Sequence, residues 1–452
     1  MKKKRMLSAI LTTALFAMLL GCGDAKTDVD SQEKVNTTNG IKDEKEPVIL
    51  KIWGGVPPES GYQQMCDNFN EAFKDKNIKV EYERYVNDDT GNLKLDTALM
   101  AGSDVDLFFN YGLTPLQKRY EGRMTQDLTE FLEKDSYDMV ENFGEFVKST
   151  YIDGKVYALP TTLTQNAILI NKDMFDEAGI EVPKTWTLDE MREIARILTK
   201  GDGQDKIYGM FWNTGAIMGD LTPTRLSLGG DFMYKEGGKE TNFDNPLFQK
   251  NISAIYDMMK VDGSVPTHVD SVTQKLSIEG MFLSGKSAMT VGSWAIRNIK
   301  NTEEYPHDFV TAAVPYPTMD DNAKYWNGEL GDLLSISQKS EHKEEAWEFM
   351  KWYAQEGMLP VVAGGRVPAN LNFNLDDIGK AFLDGSEELF DSESIIYAMI
   401  EPKEQYWVQT ILNKAPEITK ILNEEIEAVY IGEKSVDEAM TNAKKRGDEQ
   451  LK

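Results

Sequence analysis

Strand-type and helix-type segments alternate along the chain from residue 48 onward. Residues 48–53 form a short apolar run, and residues 62–73 then carry apolar side chains at helical spacing. Residues 78–82 alternate between apolar and charged side chains, and residues 105–109 form a second continuous apolar run. A β–α–β–α order of this kind predicts an α/β fold built on an open sheet with largely parallel strands.

The second half of the 452-residue chain continues in the same style. Strand-like runs and long helical patterns lie there, at 167–170, 288–291, 309–313, 333–336, 344–354 and 403–429. No short internal repeat is visible, which argues against a solenoid. Ligands of open α/β sheets bind at the carboxyl ends of the strands, so polar and aromatic residues that follow a strand are candidates for a binding site.

The N-terminus has the features of a bacterial lipoprotein signal. Basic residues 2–5 precede an apolar run at 6–20, which is too short for a comfortable transmembrane helix. Residues 19–22, Leu-Leu-Gly-Cys, resemble the lipobox, and this implies that Cys22 is acylated and becomes the first mature residue. The alternative is an ordinary secretory signal with a chance cysteine. Residues 23–46 are polar almost throughout, and we expect a flexible tether there.

Charge and residue usage exclude several functions. The chain has 49 basic and 75 acidic residues, a formal net charge of −26, and so acidic a surface repels nucleic acid. The lack of clustered Arg or Lys argues against a phosphorylated ligand. Acylation of Cys22 leaves no pair for a disulfide, and Cys66 falls on an apolar helix face as a buried, inert thiol. The three histidines are scattered, so we expect no metal site, and no cofactor is indicated.

Three segments carry a family resemblance when they are taken in order. They are Tyr157-Ala-Leu-Pro160 with Ile170-Asn-Lys-Asp-Met-Phe175, Ala178-Gly-Ile180 and Pro183-x-Thr-Trp186; then Phe282-x-x-Gly-Lys-Ser-Ala-Met-Thr-x-Gly-Ser-Trp294; then Leu334-Ser-Ile-Ser337 with Ser340 and Ala346-Trp-Glu-Phe349. Their order and spacing resemble the family 1 extracellular solute-binding proteins, the group that includes maltose-binding protein. The likeness spans roughly 48–450.

The resemblance implies a type II periplasmic-binding-protein-like fold. Two α/β lobes are then joined by a multi-strand hinge, with the ligand cleft between them, and hinge closure traps the ligand. The boundaries would be a signal peptide at 1–21, a tether at 22–46, an N-terminal lobe at 47–160 and 315–338, and a C-terminal lobe at 161–314 and 339–452. The resemblance also implies a monomer that works with the permease subunits of an ABC transporter.

A sugar ligand would need a particular set of side chains. Its apolar ring faces stack on aromatic surfaces, and its hydroxyls need amide, carboxylate or guanidinium partners. Residues of these types at strand ends and in loops are Trp53, Asn110, Tyr111, Asn166, Trp212, Trp294, Trp326, Glu329, Asp332 and Arg366. Trp294 matches the position where the family places a stacking aromatic. Trp53, Trp212 and Trp326 are equally compatible with core positions.

The other tryptophans have structural explanations. Trp186 precedes a capping-box pattern at Thr187 and Glu190, in the position of a hydrophobic staple. Trp347 and Trp352 lie on an amphipathic helical pattern and are assigned to a core. Residue 407 falls within a predicted helix, and a core position is favoured there as well.

Together these features predict a lipid-anchored protein on the outer face of a Gram-positive cell membrane. It would capture a di- or oligosaccharide and deliver it to an ABC importer. Two alternatives share this fold: a binder of a non-sugar solute, and a binder that serves a membrane sensor. A third is an anchored glycoside hydrolase, which needs two carboxylates across a cleft. The chain has no Gly-x-Ser-x-Gly, His-Glu-x-x-His or P-loop pattern, and we expect no enzyme activity.

Overall fold

The computed structural model describes residues 46–212, 217–292, 295–320, 325–408 and 414–452. The predicted signal peptide, the tether up to residue 45 and its Cys22, and the candidate ligand residue Trp294 lie outside these ranges. The strands are β1 (Val48–Gly54), β2 (Ile78–Arg84), β3 (Leu107–Asn110), β4 (Leu159–Gln165), β5 (Ala167–Asn171), β6 (Met289–Val291), β7 (Thr311–Pro315) and β8 (Gly328–Ile336).

The α-helices cover both sheets that these strands form. In the N-terminal part they are α1 (Gln63–Ala72), α2 (Asp89–Ala101), α3 (Leu113–Glu121), α4 (Thr129–Asp135), α5 (Met139–Phe143), α6 (Lys172–Ala178), α7 (Leu188–Leu198), α8 (Ile217–Asp220) and α9 (Thr222–Leu228). They continue as α10 (Pro246–Lys260), α11 (His268–Thr273), α12 (Ile296–Lys300), α13 (Lys343–Trp352), α14 (Leu359–Val362), α15 (Leu375–Leu383), α16 (Ser392–Ile395), α17 (Ala415–Tyr430) and α18 (Val436–Gln450). In the described ranges no helix has the length and apolar character needed to cross a bilayer.

The first sheet contains parallel and antiparallel pairs. Its strand order among the described residues is β2-β1-β3-β8-β4. β1 pairs in parallel with β2 and with β3, as the β–α–β–α pattern predicts. β8 runs antiparallel to both of its neighbours, β3 and β4. The expectation of largely parallel strands is therefore right only for β1–β3, because β8 enters this sheet from the second sheet and not through a β–α–β crossover.

The second sheet is smaller and antiparallel. Its order is β6-β5-β7 in the part of the chain that the structure describes, and β5 pairs antiparallel with both neighbours. One residue, Asn166, separates β4 of the first sheet from β5 of the second. The chain returns to the first sheet between β7 and β8. The prediction of two α/β lobes connected by several crossings of the chain is therefore confirmed.

Each sheet has its own hydrophobic core. Leu50, Phe109 and Leu334 of the first sheet pack with side chains of α1 and α13, Trp347 among them. One face of the second sheet packs against α7, α10 and α17, and its other face packs against α12 and α15. The domain boundary at residue 339 stays a prediction, and the packing of α13 with the first sheet favours a later one.

A third connection between the cores lies at the end of α14. Val361 and Ala369 pack in the core of the first sheet, while Val362 and Val367 pack in the core of the second. The segment 361–369 therefore contacts both cores. We expect its backbone to change conformation when one lobe moves against the other.

The start of α7 forms as the sequence predicts. The Thr187 hydroxyl caps the helix, and the Glu190 carboxylate accepts a hydrogen bond from the Thr187 backbone, which completes the capping box. Trp186 is buried, and its indole Nε1 donates to Pro315 O at 2.8 Å. Cys66 is also buried as predicted, and burial raises the pKa of its thiol to about 12.

Candidate ligand-binding cleft

One side of the candidate site is built on the loop that carries Arg366. Leu163 N donates to Val367 O at 2.9 Å, and Ala369 N donates to Thr161 O at 2.9 Å. These two bonds hold the residues after Arg366 alongside β4, where Thr162 and Pro368 form an isolated antiparallel bridge. Gly365, directly before it, has φ +84°, a conformation that favours glycine, so the loop can turn there without strain.

Arg366 forms an ion pair with Asp332 of β8. Its Nε lies 2.7 Å from Asp332 Oδ2, and the side chains are 23% and 11% exposed. Among the described residues, Nε is the only nitrogen of this guanidinium with a hydrogen-bond partner. The terminal Nη groups are therefore available to a ligand. Arg366 and Asp332, both predicted as ligand residues, meet in space in the structure.

Tyrosine hydroxyls surround the end of β1 next to this pair. Gly55 N donates to Tyr111 Oη at 2.6 Å, and Tyr82 Oη donates to Val56 O at 2.8 Å. A Cβ on Gly55 would lie 2.9 Å from the Tyr111 ring, so a glycine is needed for this close approach. Burial raises the pKa of Tyr111 well above its usual value, which keeps this hydroxyl neutral.

The other side of the site is built around Arg225 of α9. Its guanidinium carbon lies 4.1 Å from the centre of the Trp407 ring, and its Nη2 donates to Asn327 Oδ1 at 3.0 Å. Trp407 Nε1 in turn donates to Gly230 O at 2.8 Å. Arg225 has no ion-pair partner among the described residues, and burial lowers its pKa. We define the cleft as the space between this group and Arg366, Asp332 and Tyr111.

Glu329 lies within electrostatic reach of both sides of the cleft, that is, of Arg225 on one side and of Asp332 on the other. It lies on β8 opposite Thr164 of β4, and its side chain is exposed. Partial enclosure by protein raises the pKa of Glu329; the positive charge of Arg225 opposes the rise, and the negative charge of Asp332 adds to it. Glu329 and Asp332 were predicted in a loop before the strand, whereas the structure has both within β8.

A cavity opens beside the Arg225 group. It has a volume of about 440 Å³, and its walls include Trp186, Tyr316, Tyr325, Trp326 and Asn327. A volume of a few hundred Å³ with aromatic walls and a few polar groups is typical of a small-molecule site. Of the predicted ligand residues, Trp326 is the one that lines this cavity.

Trp326 is held by backbone bonds on both sides. Its N donates to Gln405 O at 2.9 Å, and its O accepts from Trp407 N at 3.0 Å. Its ring packs edge-on against Tyr397, with 6.2 Å between ring centres. The side chain is half-buried and Lys403 Nζ lies 5.1 Å from its ring centre, so only the part of the ring that is left exposed can contact a ligand.

Two of the predicted tryptophans lie in cores. Trp53 is 7% exposed and packs with Tyr85, Leu95 and Phe108. Trp212 is 1% exposed and packs in the core of the second sheet. Both residues end strand-like runs, but the structure gives them core positions and no ligand-facing surface of any size.

Asn110 is also a structural residue. It is fully buried, and its Nδ2 donates to Leu333 O at 3.1 Å and to Ser335 Oγ at 3.0 Å. Its Oδ1 accepts from Arg119 Nη1 at 2.9 Å. Because both donors are already used, the predicted ligand contact finds no support at this position. Asn166 lies at the crossing between the sheets, where its N donates to Asn327 O at 3.0 Å.

Several residues of the cleft were missed by the sequence reasoning. Arg225, Tyr316 and Asn327 lie in no pattern that separates them from ordinary surface residues. Trp407 was assigned to a helix core; in the structure it lies outside any helix and stacks on Arg225. The sequence shows Trp407 as an aromatic residue, but its position there does not indicate whether its side chain faces the cleft or a core. No group of metal-ligating side chains forms within the described ranges.

Two α/β lobes with a polar, aromatic-walled cleft beside the crossings of the chain are the architecture of a hinged binding protein. The sequence family of bacterial extracellular solute-binding proteins matches residues 54–358, about two thirds of the chain. The chain belongs to this family.

Curated relatives match most of the chain at low identity. A putative binding protein of Brucella abortus is 24% identical over 377 residues, which cover 79% of this chain and 82% of the relative. The diacetylchitobiose-binding protein of Streptomyces coelicolor is 24% identical over 360 residues, which cover 77% of each chain.

Solved structures confirm the fold. A sugar transporter of Rhizobium etli in an open conformation has a TM-score of 0.72 at 22% identity and covers 88% of this chain and 98% of its own. An ABC substrate-binding protein of Listeria monocytogenes in complex with cycloalternan has a TM-score of 0.69 at 20% identity, with 90% and 99% covered. At these identities the likeness establishes the fold.

Proposed function

We propose that this solute-binding protein captures a di- or oligosaccharide in the cleft and delivers it to an ABC importer. The observation that carries the proposal is the cavity beside Trp326, which combines aromatic walls with hydrogen-bonding groups at the crossings of the chain. The relatives named for diacetylchitobiose and cycloalternan support a carbohydrate as the ligand class. A sugar that stabilises the native fold against heat is the expected sign of binding.

Trp326, Tyr111, Glu329, Asp332 and Arg366 are the predicted residues that we assign to the ligand. The half-buried indole offers a surface for a sugar ring, and the carboxylates and the guanidinium offer partners for hydroxyls. A buried sugar hydroxyl without a partner would cost about 1–3 kcal/mol, so the dense polar groups suit this ligand class. Trp294 stays a prediction as a further stacking residue.

Closure about the crossings of the chain is the mechanism that we propose. The single residue Asn166 and the segment 361–369 connect the two sheets, and the chain crosses once more between β7 and β8. Small φ/ψ changes in such short connections can rotate one lobe against the other without disturbing either core. Because Arg366 lies on one of these segments, a ligand that binds it would also contact the hinge. The lobe boundaries are proposed to follow these crossings.

We further propose that Cys22 anchors the protein to the outer face of the cell membrane. Two acyl chains on one cysteine give stable attachment, whereas a single chain gives marginal attachment. A Cys22→Ser protein should therefore be found in the culture medium and not in the membrane fraction. The measurement is fractionation of cells followed by detection of the protein. A serine variant that stays in the membrane fraction would remove the lipoprotein assignment and leave the cleft unaffected.

A further inference from the structure

Helix α12 lies against the loop that carries Arg366. Its buried side chains share a core with Val362 and Val367, which flank this loop. Lys300, at the end of α12, donates from Nζ to Ala363 O at 3.1 Å. The helix and the loop that carries Arg366 are therefore in direct contact.

Arg297 lies one helical turn before Lys300, on the same side of α12. Its side chain is exposed, and it forms no hydrogen bond or ion pair with any other residue that the structure describes. Nearby protein atoms lower its pKa, and the positive charge of Arg366 lowers the pKa further. The two guanidinium groups thus lie within electrostatic reach of each other.

The two carboxylates of the cleft do not compensate its two arginines and the neighbouring Arg297 together. Arg366 is paired with Asp332, and Glu329 lies within electrostatic reach of Arg225. Arg297 has no carboxylate partner among the described residues, so one of the three arginine charges is not balanced by a carboxylate. This local excess stands out in a chain whose formal net charge is −26. Like charges held close together are stabilised when an anion binds between them.

Free guanidinium nitrogens are well suited to a planar carboxylate. Arginine presents its N–H groups as a fork that matches the two oxygens of a carboxylate, and such charge-assisted pairs are strong and directional. The Nη groups of Arg366 and the whole guanidinium of Arg297 are available for such a contact. A single surplus charge matches a carboxylate better than a phosphate, whose charge is about −1.5 to −2 at neutral pH.

We propose that the ligand is an acidic oligosaccharide and that a uronate carboxylate binds between Arg297 and Arg366. The inference rests on the proposed function, because it assigns a charged group to a sugar in the same cleft. The aromatic walls beside Trp326 hold sugar rings, and the arginine pair selects the ring that carries the carboxylate. A neutral oligosaccharide leaves the surplus charge of Arg297 uncompensated.

The test compares matched sugars on the purified protein. Digalacturonate and glucuronate-containing disaccharides are titrated beside their neutral galactose and glucose counterparts with the same linkages. We expect an acidic member to bind at least tenfold more tightly than its neutral partner. Raising the salt concentration should weaken the acidic member more, because the contact is between charges.

Variants at Arg297 test the assignment of the residue. Arg297→Gln should reduce the preference for the acidic sugar at least tenfold, and Arg297→Lys, which keeps the charge without the planar fork, should have an intermediate effect. Arg196→Gln, on the exposed face of α7, is the control and should leave the preference unchanged. Because the Arg297 side chain is exposed, unfolding of the ligand-free variants should match that of the wild type.

Three outcomes would overturn the inference. Equal or tighter binding of the neutral sugars removes the uronate and leaves the proposed carbohydrate function in place. An acidic preference that survives Arg297→Gln removes the arginine pair as its cause. Failure of every sugar, neutral and acidic, to bind contradicts the proposed function itself and this inference with it.

Discussion

Replacing Arg119 with methionine should lower the free energy of unfolding by about 3 kcal/mol, at the low end of the 3–5 kcal/mol expected for breaking a buried ion pair. Arg119 is 1% exposed, and its Nε lies 2.8 Å from Asp96 Oδ1. The variant leaves the Asp96 charge buried and deprives Asn110 Oδ1 of the hydrogen bond that Arg119 Nη1 donates. Lys118, 2.7 Å from the same carboxylate, compensates in part.

Urea unfolding measures this loss. Arg196→Met is the matched control, since Arg196 is exposed and pairs with Glu193 one helical turn away, and we expect a change within about 0.5 kcal/mol. Adding Asp96→Asn to Arg119→Met should recover part of the lost free energy of unfolding, because it removes the buried Asp96 charge that no longer pairs with Arg119. A loss of less than about 1 kcal/mol in Arg119→Met would contradict the structural role of this network.

The second large effect is expected on ligand affinity. Trp326→Ala should weaken sugar binding by about 2 kcal/mol, or about 30-fold, because it removes the half-buried aromatic wall of the cavity. The backbone bonds to Gln405 and Trp407 do not depend on the indole, so the local chain path should persist. Titration calorimetry of wild type and variant with the same oligosaccharide measures the change.

A second tryptophan supplies the control for this experiment. Trp352 is also half-buried, but it packs on Phe69 and Phe73 in the core of the first sheet, with ring centres 5.2 and 6.4 Å apart. Trp352→Ala should lower stability and leave the affinity for the sugar as in the wild type. Wild-type affinity in Trp326→Ala would place the sugar elsewhere and contradict the proposed site.

Much of the fold follows from local patterns in the sequence. Residues 78–82, which show strand periodicity, lie in β2, and the capping box at Thr187 and Glu190 starts α7 as expected. These features depend on neighbouring residues only. The direction of β8 and the packing of α13 on the first sheet depend on how the chain returns between lobes, and no local pattern records that path.

The site was predictable in part, and the errors share a physical cause. A residue at a strand end can point to the cleft or into a network, and only tertiary contacts decide between the two. Asn110 is the last residue of the apolar strand β3, yet Arg119, Leu333 and Ser335 use its polar atoms. Arg366 and Asp332 were both chosen separately, and their pairing came from the fold.

The arginines show that clusters of charge, too, are hard to predict from the linear sequence. The sequence has no cluster of basic residues, and this argued against a phosphorylated ligand. In the structure α12 brings Arg297 beside the loop of Arg366, residues that are far apart in the chain. A local excess of positive charge can therefore form in a strongly acidic protein without any signal in its linear sequence.

The central claim is that the cleft captures a carbohydrate, and thermal unfolding with added solutes tests it most directly. The protein is unfolded and refolded to remove any bound ligand, then heated with neutral and acidic oligosaccharides, polyols and sugar phosphates. We predict that one class of sugar stabilises it, by about 2.7 kcal/mol at 100 times the dissociation constant. No stabilisation by any sugar, or the release of cleaved sugar into the solution, would contradict the claim.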